Sequence, residues 1–183
     1  MSAPAAPFSC QASPGFAEIL FQLGCSLAIS TYQAGKVIFI SADEQGRIVQ
    51  LPRSFDRAMG IAVSGQKMAV ATRDAVIVLA NAPGLAPGYP RQPDCYDAMY
   101  MPRASYYTGL VDLHDLQWGG ETLWAVNTSF SCLAQISEDY SWLPGWQPPF
   151  IDTLASEDRC HLNGMAVEAG LPRYVSALGA GNA

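Results

Sequence analysis

The sequence predicts an all-β fold: an incomplete β-propeller of about three to four blades of antiparallel hairpins, preceded by one short N-terminal helix. Three observations carry this. Beyond Gly24 the chain is a succession of short, β-branched-rich runs broken by turn residues. A strand–turn–strand unit recurs along the chain. Half of the 183 residues are apolar and only 14% are charged, which suits a packed core rather than long solvated helices.

Taken in order, residues 1–12 are rich in Ala, Pro and Ser and read as a disordered arm, leaving 13–183 as a single domain. In SPGFAEILFQLG, Ser13 can cap, Pro14 suits a first helical turn and Gly24 can end the helix. Phe16, Ile19, Leu20 and Leu23 then fall on one face, to be packed on the domain. The runs LAISTY, KVIFIS, RIVQL, GIAV, KMAVAT and AVIVLA follow as strands, with Lys36 starting one of them.

Three stretches align: RAMGIAVSGQKMAVAT (57–72), DLHDLQWGGETLWAVN (112–127) and HLNGMAVEAGLPRYVSA (161–177). Gly60, Asp115 and Gly164 share a column, so the unit recurs at intervals of 55 and 49 residues. That is near the spacing of propeller blades. A β-sandwich explains the hairpins equally well but not the matched units. Residues 81–109 and 139–158 read as irregular, rich in proline and aromatic residues. Each is a candidate lid, or packing that seals adjacent blades, the second being the preferred reading for Trp142 and Trp146.

Composition narrows the partners. A net charge of −6 argues against nucleic acid. No block of lysines invites a membrane surface, and no apolar run is long enough to span one. The N-terminus lacks the basic and apolar regions of a signal peptide. Five cysteines without a CxxC pair read as reduced thiols of a cytoplasmic protein. GxSxG, Walker and GxGxxG patterns are all missing.

The segments STYQAGK (30–36), AMGIAV (58–63), YDAMYMPR (96–103), TGLVDLHDL (108–116), VNTSFSCLA (126–134) and RCHLNGMAV (159–167) resemble an uncharacterised bacterial family of conserved hypothetical proteins. The resemblance implies β-propellers, some beside tetratricopeptide repeats, and brings no activity. Members of that family are longer, and their later motifs have no counterpart here. The chain therefore resembles the N-terminal half of a truncated propeller, whose open blade edges invite self-association.

In the aligned units the column before the glycine column holds Met59, His114 and Asn163, and two residues earlier it holds Arg57, Asp112 and His161. Residues two apart in a strand share a face, so these groups are expected to converge at one mouth of a central channel. Arg57, Asp112, His114, His161 and Asn163 are the candidate ligand-binding residues. Asp112, His114, His161 and Asn163 are candidate ligands for a divalent metal: calcium by their oxygens, zinc or iron by the imidazoles. LNGMAV also resembles the strand start of sugar-lactone hydrolases, where such an asparagine binds a metal. The early acidic ligand of those enzymes has no clear equivalent.

The structural alternative is that such groups satisfy backbone atoms at a blade corner. His114 alone fits a buried, hydrogen-bonded histidine. Asp115, on the opposite face, is expected to orient a turn, and Asp158 and Arg159 to pair at the rim. Adjacent Cys160 and His161 should point to opposite faces and form no dyad. Two functions follow. One is a binding or interaction domain for a small molecule or protein partner. The alternative is a metal-dependent hydrolase of the lactonase or esterase type.

Overall fold

The structure is a computed structural model in which residues 10–182 are described. Most of the expected arm lies outside that range. The chain is mostly strand, in four antiparallel sheets of two to four strands, as the hairpin pattern predicts. The first sheet holds β1 (Leu27–Thr31), β2 (Lys36–Ala42) and β3 (Ile48–Ser54). The second runs in order through β4 (Ile61–Ser64), β5 (Lys67–Ala71), β6 (Ala75–Asn81) and β7 (Tyr100–Tyr107). The third repeats that order with β8 (Leu113–Gly119), β9 (Thr122–Asn127), β10 (Cys132–Ser137) and β11 (Ser141–Trp146). The last pairs β12 (Leu162–Glu168) with β13 (Leu171–Ala177). Among the described residues no helix is long and apolar enough to cross a membrane.

By its internal contacts the chain divides into two compact units, the chain up to Ile29 with Val37–Arg53, and Ser30–Lys36 with the chain from Ser54 onward. In the first, helix α1 spans Phe16–Leu23 and ends at Gly24 in a left-handed conformation, φ 57°. Gly24 N–H closes back on the Leu20 and Phe21 carbonyls, as a glycine C-cap should. The N-terminus departs from expectation. Gly15 is the cap residue, and Ser13 contributes its carbonyl, not its hydroxyl, to the Phe16 N–H. Leu20 packs with Ile38 and Ile40, and Phe16 lies against them, but Ile19 and Leu23 are exposed. One turn of contact suffices to seat so short a helix, so only half of its apolar face is used.

In the second unit the first strand of each sheet lies beside the first strand of the next: β8 packs against β4 on one side and β12 on the other. Between the second and third sheets the core is Ala62, Ala69, Ala71, Val76, Val111, Leu113, Leu116, Leu123 and Ala125. Alanines on one sheet against branched residues on the other let the two faces approach closely. Between the third and fourth sheets, Trp124, Val126, Leu133, Ile151, Cys160 and Leu162 form a second layer. Fully burying a side chain such as Leu162 is worth about 1.5–3 kcal/mol.

Two segments expected to be irregular contain strands. YMPRASYY forms β7 and SWLPGW forms β11, each the outer strand of its sheet. Their prolines hid them. Pro102 sits opposite Leu79, where the β6–β7 register shifts, and Pro144 opposite Ala134, where the β10–β11 register shifts. A proline has no N–H to give, which an edge strand at a bulge tolerates. Trp142 rests on Phe130, ring centroids 5.2 Å apart, and its indole N–H donates to the Thr108 carbonyl at 3.3 Å. Trp146 is exposed.

Candidate functional site

The entries of β4, β8 and β12, the first strands of their sheets, have the same backbone. Arg57, Asp112 and His161, one aligned column, all take left-handed conformations, with φ of 47°, 49° and 47°. Aspartate and histidine are among the non-glycine residues enriched there. Two residues on, the strands bulge. On β8, Leu113 faces Asn127 and Asp115 faces Val126, leaving His114 as the extra residue. On β12, Leu162 faces Ala177 and Gly164 faces Ser176, leaving Asn163 as the extra residue. Before β4, Met59 N–H donates to the Ala71 carbonyl while Ala71 N–H donates to the Gly60 carbonyl, so the two residues again share one partner. A bulge re-aims side chains out of strict alternation.

The bulges of β8 and β12 face each other. His114 Nδ1 lies 3.0 Å from Asn163 Oδ1. The His161 ring stands edge-on to His114, centroids 4.9 Å apart and planes at 81°. His161 Nδ1 lies 2.8 Å from Asp158 Oδ2, and about two-fifths of each of these side chains is open to solvent (43% and 45%). Both imidazoles thus have an oxygen acceptor at Nδ1. In a neutral ring that contact favours the tautomer with hydrogen on Nδ1, which leaves Nε2 to accept. Among the described residues no protein group bonds either Nε2.

A polar turn holds the histidine segment in place. In the β9–β10 connection NTSFS, Asn127 Oδ1 accepts the Phe130 N–H at 3.1 Å. Buried Thr128 donates its hydroxyl to the Leu162 carbonyl at 2.6 Å. The Ser129 carbonyl accepts the N–H groups of Glu157 and Asp158. Earlier sheets repeat the clasp: the Gly35 carbonyl accepts from Phe55, and the Asp74 carbonyl from Thr108. By this correspondence β1, β2 and β3 match the second, third and fourth strands of the later sheets.

His114, His161 and Asn163 therefore meet, and Asp158 joins them. Arg159 turns instead to Glu157 and Asp152, at 2.8 and 2.7 Å, so the expected Asp158–Arg159 pair is replaced by two others. Arg57 goes elsewhere. Its guanidinium lies 5.7 Å from the Tyr32 ring centroid, and it lines a shallow hollow with Tyr32, Gln33, Ala34, Gly35 and Asp56. The Asp112 side chain forms no hydrogen bond or ion pair among the described residues, and its backbone carbonyl accepts the Thr128 N–H. A left-handed residue followed by a bulge breaks the two-residue alternation on which their convergence rested. Asp115 also differs from expectation. Its Oδ2 accepts the Met165 N–H at 2.9 Å, across to the next sheet, while Oδ1 accepts the Leu116 N–H. Among the described residues no three His, Cys, Asp or Glu side chains stand close enough together to hold a metal. Burial pushes the Cys132 thiol up to about 12, which removes it as a nucleophile at neutral pH.

Sequence reasoning placed Asp158 in a rim pair with Arg159 rather than on His161, and passed over the NTSFS cradle. Asp158 sits three residues ahead of His161, and Ser and Thr clustered in a strand connection signal side-chain-to-backbone bonds.

The model of a family described as Domain of unknown function (DUF4915) matches residues 14–183. No curated protein and no solved structure matches the chain.

Proposed function

With the chain belonging to this family, we propose that it is a propeller-type binding domain that holds a small, hydroxyl-bearing or amine-bearing molecule at the entries of β8 and β12. One observation carries the reading: two part-exposed imidazoles, each with an oxygen at Nδ1, stand edge-on with centroids 4.9 Å apart, and neither Nε2 has a hydrogen-bond partner among the described residues. Neutral imidazoles so anchored accept hydrogen bonds from a ligand. The chain is acidic, and its one candidate basic group, Arg57, sits with Tyr32 instead, which disfavours an anion. The exposed Asn163 amide adds a donor.

The hydrolase alternative draws on the same anchoring, because metal-bound histidines commonly bond their other nitrogen to an oxygen. Zinc suits two imidazoles better than calcium, which takes about six to eight oxygens. Among the described residues no carboxylate joins the two imidazoles as a third ligand: Asp112 is not part of the cluster, and Asp158 is taken up by His161 Nδ1.

The test is NMR titration of the two histidine rings with glucose, gluconolactone, spermidine and zinc chloride in turn. The binding reading expects an organic probe to shift both rings with saturation, and His161→Ala to abolish this while still folding. Stoichiometric zinc uptake that His161→Ala removes would move the assignment to the hydrolase. Rings that respond to none of the probes would count against both.

A further inference from the structure

At the column of Gly60, Asp115 and Gly164 the first strands of neighbouring sheets face one another. A Cβ added at Gly60 would stand 2.7 Å from the carbonyl carbon of Asp115 and 2.7 Å from Leu116 N, so glycine is required there for the strands to touch. At Gly164 the space is looser: a Cβ would meet Ser176 Oγ at 3.3 Å and Asp115 Oδ2 at 3.8 Å. Only the middle repeat carries a side chain in this column, and that side chain is a carboxylate aimed at the next strand.

We infer that Asp115 is the positioning residue of the imidazole pair. His114 and Asp115 are consecutive on β8, and each reaches the segment 163–165 of β12. Asp115 Oδ2 takes the Met165 N–H at 2.9 Å, and His114 Nδ1 meets Asn163 Oδ1 at 3.0 Å. The carboxylate's other oxygen is held by the Leu116 N–H, which fixes its aim. A strand that slid by one residue along its neighbour would carry Asn163 away from His114, and a bond from a side chain to one particular N–H forbids that slide. A charged acceptor is the stronger choice for this work. Asp115 acts through the histidines and is not expected to touch ligand. The use made of the pair rests on the binding reading above, but the positioning is measured without any ligand, so either can fail alone.

The chain contains two histidines, so their ring protons are assigned by a single His114→Gln variant. In the wild-type protein a cross-relaxation peak between the two rings is expected. Asp115→Ala should abolish that peak, while the core resonances of Ala125 stay in place. It should also speed exchange of the Met165 amide at least tenfold. A structural role without positioning would lower the melting temperature and leave the ring contact intact, and that result overturns the inference. Should Asp115→Ala not fold, wild-type exchange decides. A Met165 amide as slow as its paired neighbours supports the bond, and one exchanging at the open-chain rate overturns it.

Discussion

At the entry of β4, Arg57 is left-handed, Met59 and Gly60 share Ala71 as partner, and the Gly35 carbonyl clasps Phe55. At the entry of β12, His161 is left-handed, Asn163 bulges, and the Ser129 carbonyl clasps Glu157 and Asp158. The backbone is the same device twice. The side chains differ in kind: an arginine resting on a tyrosine at one entry, an Asp–His pair edge-on to a second histidine at the other. The repeat supplies a way of turning into the first strand of a sheet and of stapling it to the sheet before. Chemistry is a local addition, decided by which residues occupy the left-handed and bulge positions. A column can therefore align by sequence and still scatter its side chains, as Arg57 and Asp112 do.

The largest effect is expected where the entries touch. Gly60→Ala forces a methyl group into the backbone of β8, at a cost of about 3 kcal/mol, towards the upper end of overpacking. That should lower the melting temperature by roughly 10 °C for a chain of this size. Gly164→Ala, which meets only the Ser176 hydroxyl and, at ordinary contact distance, the Asp115 carboxylate, should cost under about 1 kcal/mol. Equal melting curves for the two variants would break the picture of a tight β4–β8 crossing and a looser β8–β12 crossing.

A middle-sized effect separates the two turns. Thr128→Val leaves the Leu162 carbonyl without its donor inside the core, which should cost about 1–2 kcal/mol by urea unfolding. Thr72 occupies the corresponding β5–β6 turn, but its hydroxyl bonds within that turn, to the Ala75 carbonyl at 2.9 Å. Thr72→Val should cost only about 0.5 kcal/mol. If the order reverses, the NTSFS turn is not what holds the histidine segment.

The smallest effect concerns charge. The β12 entry carries an ion cluster in which hydrogen bonds from Asn182, then Arg159 and Thr153, hold the Asp152 carboxyl below its ordinary value of 3.8. A depressed folded-state value stabilises above the ordinary one, and the contribution disappears as pH falls through the depressed value. Wild-type protein should thus be slightly more stable than Asp152→Asn at neutral pH, and the two denaturation curves should converge in acid. Asp152 is fully exposed, so the difference is small and should shrink further in salt. Curves that diverge as acid is added would reverse the sign and refute the assignment.

Much of this was legible in the amino acids. Strands β1 to β6, β8, β9, β12 and β13 follow from β-branched runs between turn residues. The recurring unit located three strand entries, and the columns singled out His114, His161 and Asn163. Strands β7 and β11 were hidden because proline reads as a breaker, and only a known edge position makes it harmless. Half of α1's apolar face misled for a related reason: periodicity reports which residues can pack together, not how much neighbouring surface exists to receive them.

The sequence by itself determined the sheet-forming segments, their recurrence and the residue types placed at each strand entry, because these depend on local propensity and spacing. The tertiary structure alone decided which of those residues meet. A left-handed residue and a one-residue bulge rotate side chains out of simple alternation, and the bonds from Thr128 and Asp115 to backbone groups far along the chain set the register. The repeat columns pointed to the meeting of His114 and Asn163, but the bond from Met165 N–H to Asp115, fifty positions apart, has no signature in local pattern, since it depends on how one sheet is laid against the next.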